Sequence, residues 1–140
     1  MAASLAPELR LLDGLFRLNR SILADLRIHI SAAGELDLAD FVALRSIESG
    51  TNSPGDLARE LGLNPSVLSR TLTKLANAGL VRREVDAGDS RRSRVRLTAA
   101  GLRATTQLAD HVRPHLAERL QRLQPDRIAD FLECLTVLNE

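Results

Sequence analysis

Large apolar residues recur at intervals of three and four near the start of the chain, at Leu5, Leu9, Leu12, Phe16, Leu23, Leu26 and Ile30. A second stripe, Leu11, Leu15, Leu18 and Ile22, runs beside the first. Such spacing gathers side chains on one side of an α-helix, so the first thirty residues predict one long amphipathic helix. Two adjacent stripes make an apolar face too wide for one small neighbour. The helix is expected to serve its own domain on one side and another surface on the other.

Gly34 breaks that pattern. Residues 37–49 then predict a second helix that buries Leu38, Phe41, Val42, Leu44 and Ile47 and is closed by Gly50. Ser53 is a good N-cap, Pro54 suits the first helical position, and Asp56 falls where a capping-box acid would sit. That helix should stop at Gly62. Asn64 and Pro65 repeat the starting signal, and Gly79 the stop. Two short helices separated by "GLN" predict a helix-turn-helix.

The segments "LVRREV" and "SRVRLT" alternate at a period of two around "DAGDSR", in which Gly88 can supply a positive φ. They predict a β-hairpin with a loop longer than two residues. Thr98 should cap a long helix with Leu102, Leu108, Val112, Leu116, Leu120 and Leu123 as apolar positions. Pro114 inside it removes a backbone hydrogen bond and is expected to kink or break it near residues 110–113. A last helix over 126–139 carries Ile128, Phe131, Leu132, Leu135 and Leu138. The expected fold is mainly α with a small β-hairpin wing, in winged helix-turn-helix order.

Composition agrees with this reading and narrows it. Three phenylalanines are the only aromatic residues among 140, which favours helices over an all-β domain. No window approaches the apolar length of a membrane span, and the N-terminus lacks a basic region followed by an apolar run, so a cytoplasmic protein without a membrane partner is expected. The single cysteine, Cys134, excludes an internal disulfide framework and suits a reducing compartment.

Charge adds the decisive asymmetry. The formal net charge is +1, but residues 63–103 hold nine cations against three acids, leaving +6 there and −5 elsewhere. Four arginines crowd into residues 91–96 of "DAGDSRRSRVRLT", around the hairpin tip. A basic centre between acidic flanks is the footprint of a polyanion-binding surface.

The second helix of a helix-turn-helix presents its N-terminal half to the DNA major groove. Here that half carries Ser66, Ser69 and Arg70, with Thr73 and Lys74 one turn later, while Leu68, Leu72 and Leu75 should point inward. Arg70 is the candidate for base contact, because a guanidinium can bond guanine bidentately. Ser66, Ser69, Thr73 and Lys74 are candidates for phosphate contact that fixes register. On the wing, Arg91 is the candidate for the minor groove, where negative potential is high over A·T-rich steps. Asp89 cannot bind phosphate; it is expected to order the wing and aim Arg91. Arg92, Arg94 and Arg96 divide between phosphate contact and solvated strand positions.

These residues resemble the MarR family of transcriptional regulators. The likeness spans nearly the whole chain and is strongest in "LARELGLNPSVLSRTLTKLANAGLVRR" followed by "DAGDSRRSRVRLTAAG". The family's recognition helix, its "GLV-R" entry to the wing, its D-x-R wing motif (Asp89, Ser90, Arg91) and its "LT-x-x-G" exit are all in register. The resemblance implies a homodimer built from the first and last helices. It also implies a pseudo-palindromic DNA site and a regulator, usually a repressor, relieved by a small-molecule effector or an oxidant. On that basis residues 1–34 form an N-terminal dimerisation helix, 35–100 the DNA-binding lobe and 101–140 the C-terminal dimerisation helices of one integrated domain.

Other chemistries find little support. His111 and His115 are spaced as helical metal ligands could be, but Pro114 intervenes and no cysteine or clustered carboxylate is near. No cofactor or metal is expected. His29 is read as ordinary. Cys134 has no basic neighbour within four positions and is read as a buried or interfacial thiol. No nucleophile–base pair, phosphate-cradling loop or paired carboxylates point to an enzyme. The alternative is a winged-helix module that binds protein and not DNA, which Arg70, Lys74 and Arg91 oppose.

Overall fold

The computed structural model describes residues 6–32, 35–86 and 88–140, without the side chains of residues 32, 86 and 89–92. Among them the order is α1 (Pro7–Ala32), α2 (Leu38–Glu48), α3 (Pro54–Leu61), α4 (Pro65–Asn77), β1 (Val81–Asp86), β2 (Asp89–Leu97), α5 (Ala99–Leu120) and α6 (Pro125–Leu138). The mainly helical winged helix-turn-helix expected from the sequence is the fold that forms. Leu5 and Gly34, which contribute to the sequence pattern, lie outside the described residues. The chain divides into two compact units, one of residues 27–111 and one of residues 1–26 with 112–140.

The first unit is built on helix caps. The Asp37 carboxylate accepts the Asp40 N–H at 2.8 Å, and Asp40 Oδ2 accepts the Asp37 N–H at 3.0 Å, closing a reciprocal capping box on α2. Ser53 Oγ accepts the Asp56 N–H at 3.3 Å on α3, and Asn64 Oδ1 accepts the Ser66 N–H at 2.9 Å on α4. Between them Gly62 adopts the left-handed φ of 62° that ends α3, a conformation a side chain would disfavour. The three helices and the hairpin bury Leu44, Ile47, Leu57, Leu68, Leu72, Leu75, Val81 and Val95 in one core. Val42, expected inside, is 38% exposed. It lies two residues, about 200° of helical rotation, from Asp40, and Asp40 takes the buried side instead.

The hairpin is tighter than expected. Only residues 87 and 88 separate the strands, and the pairing runs from Val81 opposite Leu97 to Val85 opposite Ser93. It then shifts, so that Asp86 faces Asp89 and residues 90–92 bulge out of register. The Val95 N–H donates to the Asn52 carbonyl at 2.7 Å, fastening β2 to the segment before α3. Beyond β2, Thr98 accepts the Gly101 N–H at 3.0 Å, the cap expected for α5.

In the second unit, the Arg119 guanidinium joins α5 to α1, donating to Ser21 Oγ at 2.7 Å and to the Asp25 carboxylate. The helix does not break at Pro114: α5 is continuous from Ala99 to Leu120. Proline removes one hydrogen bond of the ladder, and the bonds around it hold the helix together. Helix α6 has no buried residue, and Cys134, read as buried or interfacial, is exposed in this chain. The outward apolar side of α1 is open as well, with Leu12 at 63% and Phe16 at 64% exposure.

Candidate nucleic-acid interface

Helix α4 splits its sequence between two environments. Leu68, Leu72 and Leu75, at i, i+4 and i+7, are buried as expected. Ser66, Ser69, Arg70, Thr73 and Lys74 are exposed. Among the described residues Arg70 has no carboxylate partner, so its guanidinium keeps its full donor set. The Ser66 hydroxyl donates to Asn64 Oδ1 at 2.8 Å, so its one proton serves the cap. Ser69 faces a groove of about 500 Å³ between α3, α4 and the hairpin, which Arg83 and Ser93 also line. The sequence alone does not mark Arg83; its strand register opposite Val95 is the signal that places it here.

Lys74 is placed differently from its neighbours. Its Nζ lies 2.6 Å from Oδ2 of Asp40, a carboxylate only 2% exposed. The hydrogen bond it donates to Asp40 raises the Lys74 pKa above its ordinary 10.5, against a smaller opposing effect of burial and with help from the charges of Asp40, Asp37 and Glu35. Lys74 is also the one lysine of the chain; the other eighteen cations are arginines. Asp40 escapes a reading of the sequence because an acid in the first turn of a helix looks like an ordinary solvated cap.

On the wing, Arg82, Glu84, Arg94 and Arg96 share one face of the hairpin, as alternation requires. Glu84 accepts from Arg96 Nε at 2.8 Å and pairs with Arg82 at 3.1 Å, so two of the basic charges on that face are partly neutralised. Arg94, directly opposite Glu84 in register, is exposed. Asp89, Arg91 and Arg92 have their backbone in β2, the latter two within the bulge; their side chains lie outside the described structure. The bulge interrupts the alternation, so strand parity does not assign a face to Arg91 or Arg92.

Among the described residues, no helix is long and apolar enough to cross a membrane, and no group of three His, Cys, Asp or Glu is placed to hold a metal ion.

Residues 35–92 match the sequence profile of the MarR family. A MarR-family transcriptional regulator from Silicibacter pomeroyi is 34% identical, with a TM-score of 0.76 over 87% of this chain and 82% of that one. The transcriptional regulator BldR from Sulfolobus solfataricus superposes with a TM-score of 0.86 at 22% identity, over 97% of this chain and 96% of its own. A mutant MarR from E. coli, complexed with operator DNA, gives 0.77 at 25% identity over 97% and 99%. Comparison by sequence with curated proteins finds no match.

Proposed function

The chain belongs to the MarR family of transcriptional regulators, and we propose that it acts in the cytoplasm as a homodimeric repressor on a pseudo-palindromic DNA site, without catalytic activity. The observation that carries this reading is the division of α4: three leucines anchor it in the core while Ser66, Ser69, Arg70 and Thr73 stand exposed beside a cationic hairpin. Arg70 reads a base edge, Ser69 and Thr73 contact phosphates, and Ser66 joins them when its hydroxyl turns from Asn64 to the DNA. Asp89 orders the wing tip, from which Arg91 enters the minor groove while Arg92 and Arg94 hold the backbone. The operator DNA bound to the E. coli MarR mutant supports this use of the fold.

A second copy covers the apolar sides of α1 and α6, where Leu12, Phe16, Val137 and Leu138 are each more than 60% exposed. Residues 1–34 and 101–140 thus serve dimerisation, and residues 35–100 bind DNA. Two recognition helices then reach half-sites roughly 34 Å apart, one turn of the duplex. A small-molecule effector releases the DNA.

The test is selection from random genomic fragments across a salt series, with sequencing of the retained DNA. An inverted repeat whose retention falls steeply with salt supports the reading. No retention at low salt overturns it and favours a protein-binding winged helix.

A further inference from the structure

We propose that Lys74 is a positioning residue of the DNA-reading helix: pinned on the buried carboxylate of Asp40, it sets the rotation of α4 and does not serve as a phosphate clamp. This rests on the DNA-binding reading above.

The two residues are far apart in sequence and belong to different helices, yet Lys74 Nζ donates to Asp40 Oδ2 at 2.6 Å. Asp40 is itself immobilised, since the same Oδ2 accepts the Asp37 N–H in the capping box of α2. Apolar packing alone holds α4 less specifically. Leu68, Leu72 and Leu75 rest in the core with Ala43, Leu44 and Ile47 of α2; such contacts choose the buried side of α4 but, being non-directional, tolerate a small roll. A short charge-assisted hydrogen bond at the C-terminal end of α4 supplies the missing angle. Arg70 lies one turn earlier on the same side of that helix, so a roll of α4 displaces its guanidinium from any base edge it reads.

The charge count points the same way. An ammonium already neutralised by a carboxylate releases few counterions when DNA binds, unlike an unpaired cation. Lysine also suits this role, because a compact ammonium on a flexible stem can bond a single carboxylate oxygen that a planar guanidinium fork would meet awkwardly.

Asp40→Asn separates the two roles by sign. It frees Lys74 and raises the net charge by one, so a phosphate clamp would bind all DNA more tightly. A positioning residue would instead weaken binding to the selected operator duplex by about tenfold or more, with a scrambled duplex of equal composition unchanged or bound more tightly. Lys74→Gln, at a side chain 45% exposed, keeps a donor for Asp40 and covers the case in which Asp40→Asn melts early. The proposal expects it to leave the slope of log affinity against log salt unchanged. Tighter binding of the operator duplex by Asp40→Asn, or a slope reduced by about one in Lys74→Gln with equal losses on both duplexes, would overturn it. Wild-type protein that binds neither duplex removes the DNA-binding reading itself, and the inference with it.

Discussion

The backbone carbonyl of Leu80 is packed directly against Gly101. A Cβ on Gly101 would stand 2.9 Å from the Leu80 carbonyl carbon and closer still to its oxygen. The same oxygen accepts the Thr98 N–H at 3.0 Å, and the Thr98 hydroxyl donates to the Gly79 carbonyl at 2.6 Å. The segment that follows α4 and the start of α5 are therefore joined backbone to backbone, which gives the "LT-x-x-G" spacing a physical reason.

Gly101→Ala should lower stability by about 1–3 kcal/mol, because the added methyl meets backbone that cannot swing aside. Helix propensity alone predicts the opposite sign, as alanine is the better helix former. Urea unfolding decides between them, and a midpoint at or above wild type would mean that the joint relaxes freely.

Alkaline stability should depend on Lys74. Its pKa is raised in the folded chain, so the stabilisation is complete below the ordinary 10.5 and is lost as pH climbs through the higher folded value. With no tyrosine and no second lysine, no other side chain of those types titrates in that range. Urea midpoints from pH 9 to about 11.5 should fall at the upper end in wild type. The same series on Lys74→Met should lack that step; a matching decline in both proteins would assign it elsewhere.

Arg70→Ala and Arg91→Ala should fail in different ways. Losing a base contact from α4 costs about 1–3 kcal/mol and relaxes preference at one position in each half-site. Losing the wing arginine weakens binding most on A·T-rich flanks. Competition binding with single-base operator variants separates the patterns, and unchanged affinity for Arg91→Ala would remove the wing from the mechanism.

Phe16→Glu places a charge in the open apolar side of α1. Light scattering should show the mass falling from two chains to one, with operator binding lost at concentrations where wild type is dimeric. Retention of the dimer would move the interface off this face.

Much of the fold is legible in the sequence because the relevant signals are local. Ser53, Asn64 and Thr98 cap their helices through side chains within three residues, and Leu68, Leu72 and Leu75 follow from helical period alone. What escapes depends on distant partners or on backbone tolerance. Asp40 is buried because α4 brings Lys74 to it from 34 residues away, which no local pattern encodes. The bulge at residues 90–92 comes from the pairing of Asp86 with Asp89, not from the residue types within it. Pro114 by itself signals a break, whereas the rest of α5 carries the helix past one missing bond.

A protein with eighteen arginines and one lysine offers a single side-chain amine to chemistry. Reductive methylation with ¹³C-formaldehyde would therefore yield one lysine resonance besides that of the α-amino group. That signal sits where α4 is pinned to α2, so its shift would report the seating of α4 as duplex DNA is added, in a chain with no residue replaced.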